Sequence, residues 1–103
     1  MPTFIMLSRL ASGAVHSPHS LELLEQKAME RVRKECPNVE WVANYAVLGP
    51  WDYLDIFNAP DIDVAAKVST LIRSFGHAHT EIWSAIAWPR FKDMIRNLPG
   101  GKE

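Results

Sequence analysis

With 103 residues, 48% of them apolar and 22% charged, the chain is long enough for one globular core and too short for two. Eleven basic and twelve acidic side chains leave a formal charge of −1, so the composition offers no footprint for nucleic acid or an anionic membrane surface. The apolar runs are too short to cross a bilayer, and the single cysteine, Cys36, has no partner for an internal disulfide.

Met1-Pro2-Thr3 leads directly into strand-like sequence, without a basic n-region or cleavage site, and predicts a protein that stays in the reducing cytoplasm. Thr3 to Leu10 reads as a first strand, with Phe4 and Met6 on one face and Ile5 and Leu7 on the other. A loop from Ala11 to His19 follows. Within it Ser17-Pro18 is a helix entry, serine capping and proline occupying the first helical position. Leu21, Leu24, Ala28 and Val32 recur at helical spacing, opposed by Glu22, Glu25, Lys27, Glu30, Arg31, Arg33 and Lys34, until Pro37-Asn38. Cys36, just before that stop, reads as a bland, partly buried thiol.

Val39 to Leu48 reads as a second strand, with Trp41 and Tyr45 on one face and Val42, Ala46 and Leu48 on the other. Gly49-Pro50 makes a hairpin turn into a third strand, Trp51 to Ala59, where Trp51, Tyr53 and Phe57 oppose Leu54 and Ile56. A second helix starts at Pro60-Asp61 with Asp61 or Asp63 as its cap. It carries Val64, Val68, Leu71, Ile72 and Phe75 on one stripe, and Gly76 is expected as its left-handed exit. Ala78 to Ala87 is the fourth strand. Trp88-Pro89 with Phe91, Met94, Ile95 and Leu98 predicts a short C-terminal helix, so the expected domain spans 1–98 with 99–103 as a flexible tail.

This order is the split βαβ, ferredoxin-like arrangement of an α+β fold: βαββαβ, a four-stranded antiparallel sheet, and one appended helix. Right-handed crossovers put both long helices on the same side of the sheet. The far side is normally wet and alternates apolar with polar residues. Here bulky apolar residues fall on both parities, and leaving them in water would forgo roughly 1.5–3 kcal/mol each. A second copy packed face to face across a two-fold axis would cover them. The alternative is a monomer whose C-terminal helix folds over the open face.

The run Gly49-Pro50-Trp51-Asp52, continued by Tyr53-Leu54-Asp55-Ile56-Phe57-Asn58-Ala59-Pro60-Asp61, resembles the signature of the GYD-domain family. Ala65-Ala66-Lys67, Gly76, Thr80, Ala85 and the opening Pro2-Thr3-Phe4-Ile5 with Arg9-Leu10 extend the likeness over nearly the whole chain. The resemblance implies a ferredoxin-like homodimer, a dimeric α+β barrel of bacterial or archaeal type and of uncharacterised function. Trp51 stands where the family usually has tyrosine, so no role requiring a phenol there carries over.

Three constellations bear chemistry. His77, His79 and Glu81 would project together from a strand, about 7 Å between residues two apart, and suit a divalent transition metal, with His16 or His19 able to complete the shell. Asp52 and Asp55 lie among aromatics, where a carboxyl is expected to have a raised pKa. They are three apart, hence on opposite faces. Asp52, the acid shared with the signature, is the preferred general base, with His79 as the other candidate. A turn-fixing hydrogen bond is the plainer role for Asp52. Trp41, Tyr45, Trp51, Tyr53, Phe57 and Trp83 could line a pocket for a flat aromatic ligand, or equally a dimer seam. Arg9, at the rim of the first strand, could pair with an acidic ligand. No phosphate loop, nucleophile elbow or Ser/His/Asp pattern is recognisable.

The expected function is therefore a homodimeric protein binding a small organic ligand between sheet and helices. The alternatives are a cofactor-independent enzyme acting on an aromatic substrate, and a metal-binding protein using His77, His79 and Glu81.

Overall fold

A computed structural model describes residues 1–13 and 17–100. His16 and the end of the expected tail, 101–103, lie outside the described residues. The elements follow in the expected order: β1 (Thr3–Leu10), α1 (Pro18–Glu35), β2 (Glu40–Ala46), β3 (Tyr53–Asn58), α2 (Ile62–Phe75), β4 (Ala78–Ala85) and α3 (Trp88–Arg96). The strands form one antiparallel sheet in the order β2-β3-β1-β4. This is the ferredoxin-like α+β fold.

Both long helices begin where their caps predict. The Ser17 hydroxyl accepts from Ser20 N–H at 3.2 Å, and the Asp61 carboxylate accepts from Val64 N–H at 2.9 Å. Each bond satisfies a donor that the first helical turn leaves free. The exit of α2 differs from expectation. Gly76 has φ −92°, and the left-handed residue is His77, at φ +48°. Glycine is required at 76 by crowding instead: a Cβ there would lie 2.6 Å from the Ile72 carbonyl oxygen and 3.5 Å from Ala28 Cβ.

The join between β2 and β3 is also looser than a two-residue hairpin. Residues 47–52 connect the strands, Val47 N–H donating to the Asp52 carbonyl at 3.0 Å, and Gly49 takes φ +141°, a conformation L side chains rarely adopt. In β2 the register slips between Trp41 and Ala43: Trp41 pairs with Phe57, and Ala43 with Ile56. The bulge at Val42 reverses the parity of everything after it. Trp41 therefore shares a face with Phe57 and Tyr53, while Tyr45, paired with Leu54, faces the other way. The expectation that Trp41 and Tyr45 share a face fails for this reason.

The core lies between the sheet and α1/α2. Phe4, Met6 and Phe57 from the sheet meet Ala28, Met29, Val32 and Cys36, and Ala65, Val68 and Ile72. Phe57 stacks on Phe4 at 5.7 Å and meets Trp41 at 5.2 Å between ring centroids. Cys36 is buried, and burial pushes its thiol pKa up.

On the opposite face, Ile5, Leu54, Ile56, Tyr45 and Trp83 form a patch around the buried Leu7 that no helix covers among the described residues; Tyr45 is 57% exposed and Trp83 48%. Helix α3 does not cover it. That helix buries none of its residues; Trp88, Met94 and Ile95 stand exposed along it, and Leu98 just beyond its end. The molecule is 58 Å long, with a radius of gyration of 16.5 Å, against about 13 Å for a compact domain of this size.

Candidate functional site

A cavity of about 290 Å³ lies between the helix-facing side of the sheet and α1, at the small end of organic-ligand pockets. It forms because α1 turns large aliphatic side chains towards a sheet region that answers with small and polar ones. Leu21, Leu24 and Met29 of α1, with Ile72 of α2, make an apolar wall, whereas Ser8, Tyr53 and Asp55 make the floor. Asn44 of edge strand β2 and Glu25 of α1 stand at the exposed mouth. No Lys, Arg or His lines the cavity among the described residues.

The polar floor is electrostatically tense. Asp55 is half-buried, and burial pushes its carboxyl above the ordinary range. The hydrogen bond from Asn44 Nδ2 to Asp55 Oδ1, at 2.6 Å, works against that shift, and the negative charge of Glu25 adds to it. Burial also raises the Tyr53 phenol, helped by Asp52, Glu25 and Asp55. Ser8 is 2% exposed, and its hydroxyl has no hydrogen-bond partner among the described residues. A buried hydroxyl without a partner costs about 1–3 kcal/mol, so its persistence here needs a reason.

The residues anticipated from sequence are dispersed. Tyr53 lies on the cavity floor. Tyr45 lines the mouth, with its pairing to Leu54 placing it on the open-face parity. Trp41 and Phe57 are core packing. Trp83 is on the open face, its Nε1 donating to Glu81 Oε1 at 2.7 Å. The Arg9 guanidinium sits 5.5 Å over the Trp51 ring, and Arg9 pairs across the sheet with His79. Neither Arg9 nor Trp51 lines the cavity.

Asp52 is engaged by backbone. Its Oδ2 accepts from Leu10 N–H at 2.8 Å, and its own N–H donates to the Ser8 carbonyl at 2.8 Å. Together with the bond from Val47, these pin the loop 47–52 to the end of β1, which is the turn-fixing role. His77 precedes β4 rather than belonging to it, so the two-apart rule does not bring it beside His79. Among the described residues no group of three His, Cys, Asp or Glu side chains is arranged to hold a metal ion.

Sequence alone singles out neither Ser8 nor Glu25 and ranks Asp55 behind Asp52, although the raised carboxyl expected among the aromatics is found at Asp55. One signal favours Asp55: it shares the parity of Phe57, the helix-facing side, whereas Asp52 sits at the loop. Ser8 also carried one, as the polar residue continuing the buried Phe4-Met6 parity.

A sequence model of the GYD domain matches residues 4–95. A protein of Thermus thermophilus described as "Glutamine synthetase and cystathionine beta-lyase binding protein" is 36% identical over 102 residues, covering 95% of this chain and 99% of that protein. The crystal structure of a protein called FFRP-DM1 superposes with a TM-score of 0.53 at 23% identity, over 84% of this chain and all of the other. That likeness extends to the fold.

Proposed function

This chain belongs to the GYD-domain family, and on that premise we propose that it is a homodimeric accessory protein which binds a small organic molecule in the cavity beneath α1. One observation carries the proposal: an apolar cavity whose floor holds a buried, unpartnered hydroxyl and a half-buried carboxyl. An ordinary core would fill such a space with side chains. A binding site keeps it, along with a few convergent polar groups, for a ligand.

The open sheet face supports the homodimer. Its centre is Ile5, Leu54, Ile56 and Trp83, and its margin is Thr3, Glu40, Asn58, Glu81 and Arg9, the apolar centre and polar rim of protein interfaces. Four strands about 4.8 Å apart and about 25 Å long present roughly 500 Å², less than the ~800 Å² per partner of a standard interface. In the proposed dimer the exposed apolar residues of α3 would have to supply the remainder. Likeness to the Thermus thermophilus protein supports enzymes as further partners, glutamine synthetase and cystathionine β-lyase first among them.

A second reading rests on Asp55 itself. A carboxyl raised by burial beside a tyrosine is suited to move a proton at a bound substrate, which favours a cofactor-independent enzyme with Asp55 as the base in place of Asp52 or His79. Thermal-shift screening against small organic molecules, with each hit then followed by mass spectrometry, tests both. A hit that raises Tm and is recovered unchanged supports the accessory protein. A hit converted to product supports the enzyme, and a complete lack of stabilisation refutes both.

A further inference from the structure

The cavity's charged groups are one-sided. Asp55 and Glu25 bring two carboxylates, the Ser8 and Tyr53 hydroxyls can accept as well as donate, one Asn44 Nδ2 proton is committed to Asp55 Oδ1 at 2.6 Å, and no cationic side chain lines the space among the described residues. We propose that the cavity takes a small primary amine, its ammonium on the oxygens of Asp55, Glu25 and Ser8 and its hydrocarbon body against Leu21, Leu24, Met29 and Ile72. This assigns a ligand class to the site proposed above and rests on that reading.

Three features select an amine over an alcohol or an acid. First, Asp55 Oδ2 accepts no hydrogen bond from any described residue, and a half-buried carboxyl beside Glu25 lacks a counter-charge. An ammonium carries three donors and no acceptor, matching an acceptor-rich floor. Second, the Ser8 hydroxyl, 2% exposed and unpartnered, has lone pairs to accept from the same head group, which is a reason to keep a costly polar atom there. Third, a carboxylate ligand would meet two like charges with no cation to offset them. An acidic ligand, anticipated from Arg9, is therefore disfavoured, since Arg9 lies over Trp51 rather than in the cavity. The wall facing this floor is aliphatic, with Tyr45 and Tyr53 as the aromatic side chains of the lining, so the hydrocarbon body need not be aromatic.

The test is a matched series sharing one six-carbon body: hexylamine, hexan-1-ol and hexanoate, titrated calorimetrically into the full-length protein at neutral pH. Hexylamine should bind at least about tenfold more tightly than hexan-1-ol, the ratio expected of a charge-assisted hydrogen bond, with hexanoate weakest. Asp55→Asn should bring the amine and the alcohol to within about threefold, since the shape survives and the charge does not. Glu25→Gln, on an exposed helix surface, should reduce the amine preference in part and serves if Asp55→Asn folds poorly. Hexanoate binding as tightly as hexylamine, or an amine preference intact in both variants, overturns the assignment. Equal binding of all three probes overturns it while sparing the ligand site itself, and no binding by any of them overturns both.

Discussion

Replacing Ser8 by alanine separates a site residue from a packing residue, because the two roles move stability in opposite directions. The Ser8 side chain is closed off, and its oxygen has no partner among the described residues. Folding therefore strips the hydroxyl of water without returning a bond, at a cost of about 1–3 kcal/mol. Alanine fits the same space and gives back that cost, so Ser8→Ala should stabilise the ligand-free protein by about 1 kcal/mol, the lower end of the range because the cavity is open at its mouth. With an unfolding entropy of about 2.1 cal/mol/K per residue, 103 residues convert this to a rise in Tm of about 5 °C. The same substitution removes one acceptor from the proposed ammonium site and should weaken hexylamine binding about fivefold, the equivalent of roughly 1 kcal/mol. Differential scanning calorimetry at one fixed protein concentration, since dimerisation shifts Tm, and calorimetric titration give the two numbers. A fall in Tm would mean that the hydroxyl is bonded in the resting protein. An unchanged affinity would mean that it does not face the ligand.

Asp55→Asn tests the electrostatics of the floor. Burial holds the folded Asp55 pKa above its unfolded value, so the folded state binds more protons, and the stability this contributes is present at low pH and lost as pH rises through the folded pKa. The variant should consequently have the higher Tm at pH 7 and a flatter change in Tm between pH 7 and pH 4; an identical pH profile would show that the carboxyl is not perturbed. Asp52→Ala unties Leu10 N–H from the loop 47–52 and should cost about 1.5–3 kcal/mol in urea unfolding, with hexylamine affinity changed less than twofold; a large binding loss at full stability would return Asp52 to the site. Gly76→Ala drives a Cβ towards the Ile72 carbonyl and should cost about 1–3 kcal/mol, whereas His77→Gly relieves a left-handed residue and should gain up to about 1 kcal/mol; the reverse order would contradict the helix exit described here. Ile56→Lys, at the centre of the open face and away from the cavity, should shift the sedimentation coefficient from dimer to monomer with the far-UV circular dichroism spectrum preserved; a wild type already sedimenting at 11.7 kDa would refute the dimer.

The order of elements was legible because it rests on local physics: Ser17 and Asp61 cap, Pro37 stops, and the apolar stripes of α1 and α2 repeat at helical spacing. The unmatched greasiness of the strands was legible for the same reason, since period-two counting needs no tertiary knowledge. Tyr45 went to the wrong face because a bulge adds a residue without leaving a mark in composition; Val42 is an ordinary strand residue, and only its pairing with β3 reveals the slip. A general preference makes Gly76 the expected left-handed residue, whereas its neighbour His77 takes that conformation and Gly76 is needed for its lack of a side chain. Strand pairing decides the first and close approach the second, and neither leaves a local mark. The site was the least legible part. Asp52 stands out through its motif, yet its carboxylate closes a loop, while Asp55, three residues on, is raised first by its burial under α1, with the charge of Glu25 adding to it. That burial spans thirty positions of sequence and belongs to the fold rather than to any local pattern.

Nitrogen-15 chemical-shift mapping during a hexylamine titration addresses most directly whether the space beneath α1 receives a ligand. Saturable shifts should concentrate on the amides of Ser8, Leu24, Tyr53 and Asp55, with Leu7, Ile56 and Trp83 on the far side of the sheet unmoved. Shifts confined to that far side or to α3, or none up to the solubility of the amine, would contradict the proposed binding site.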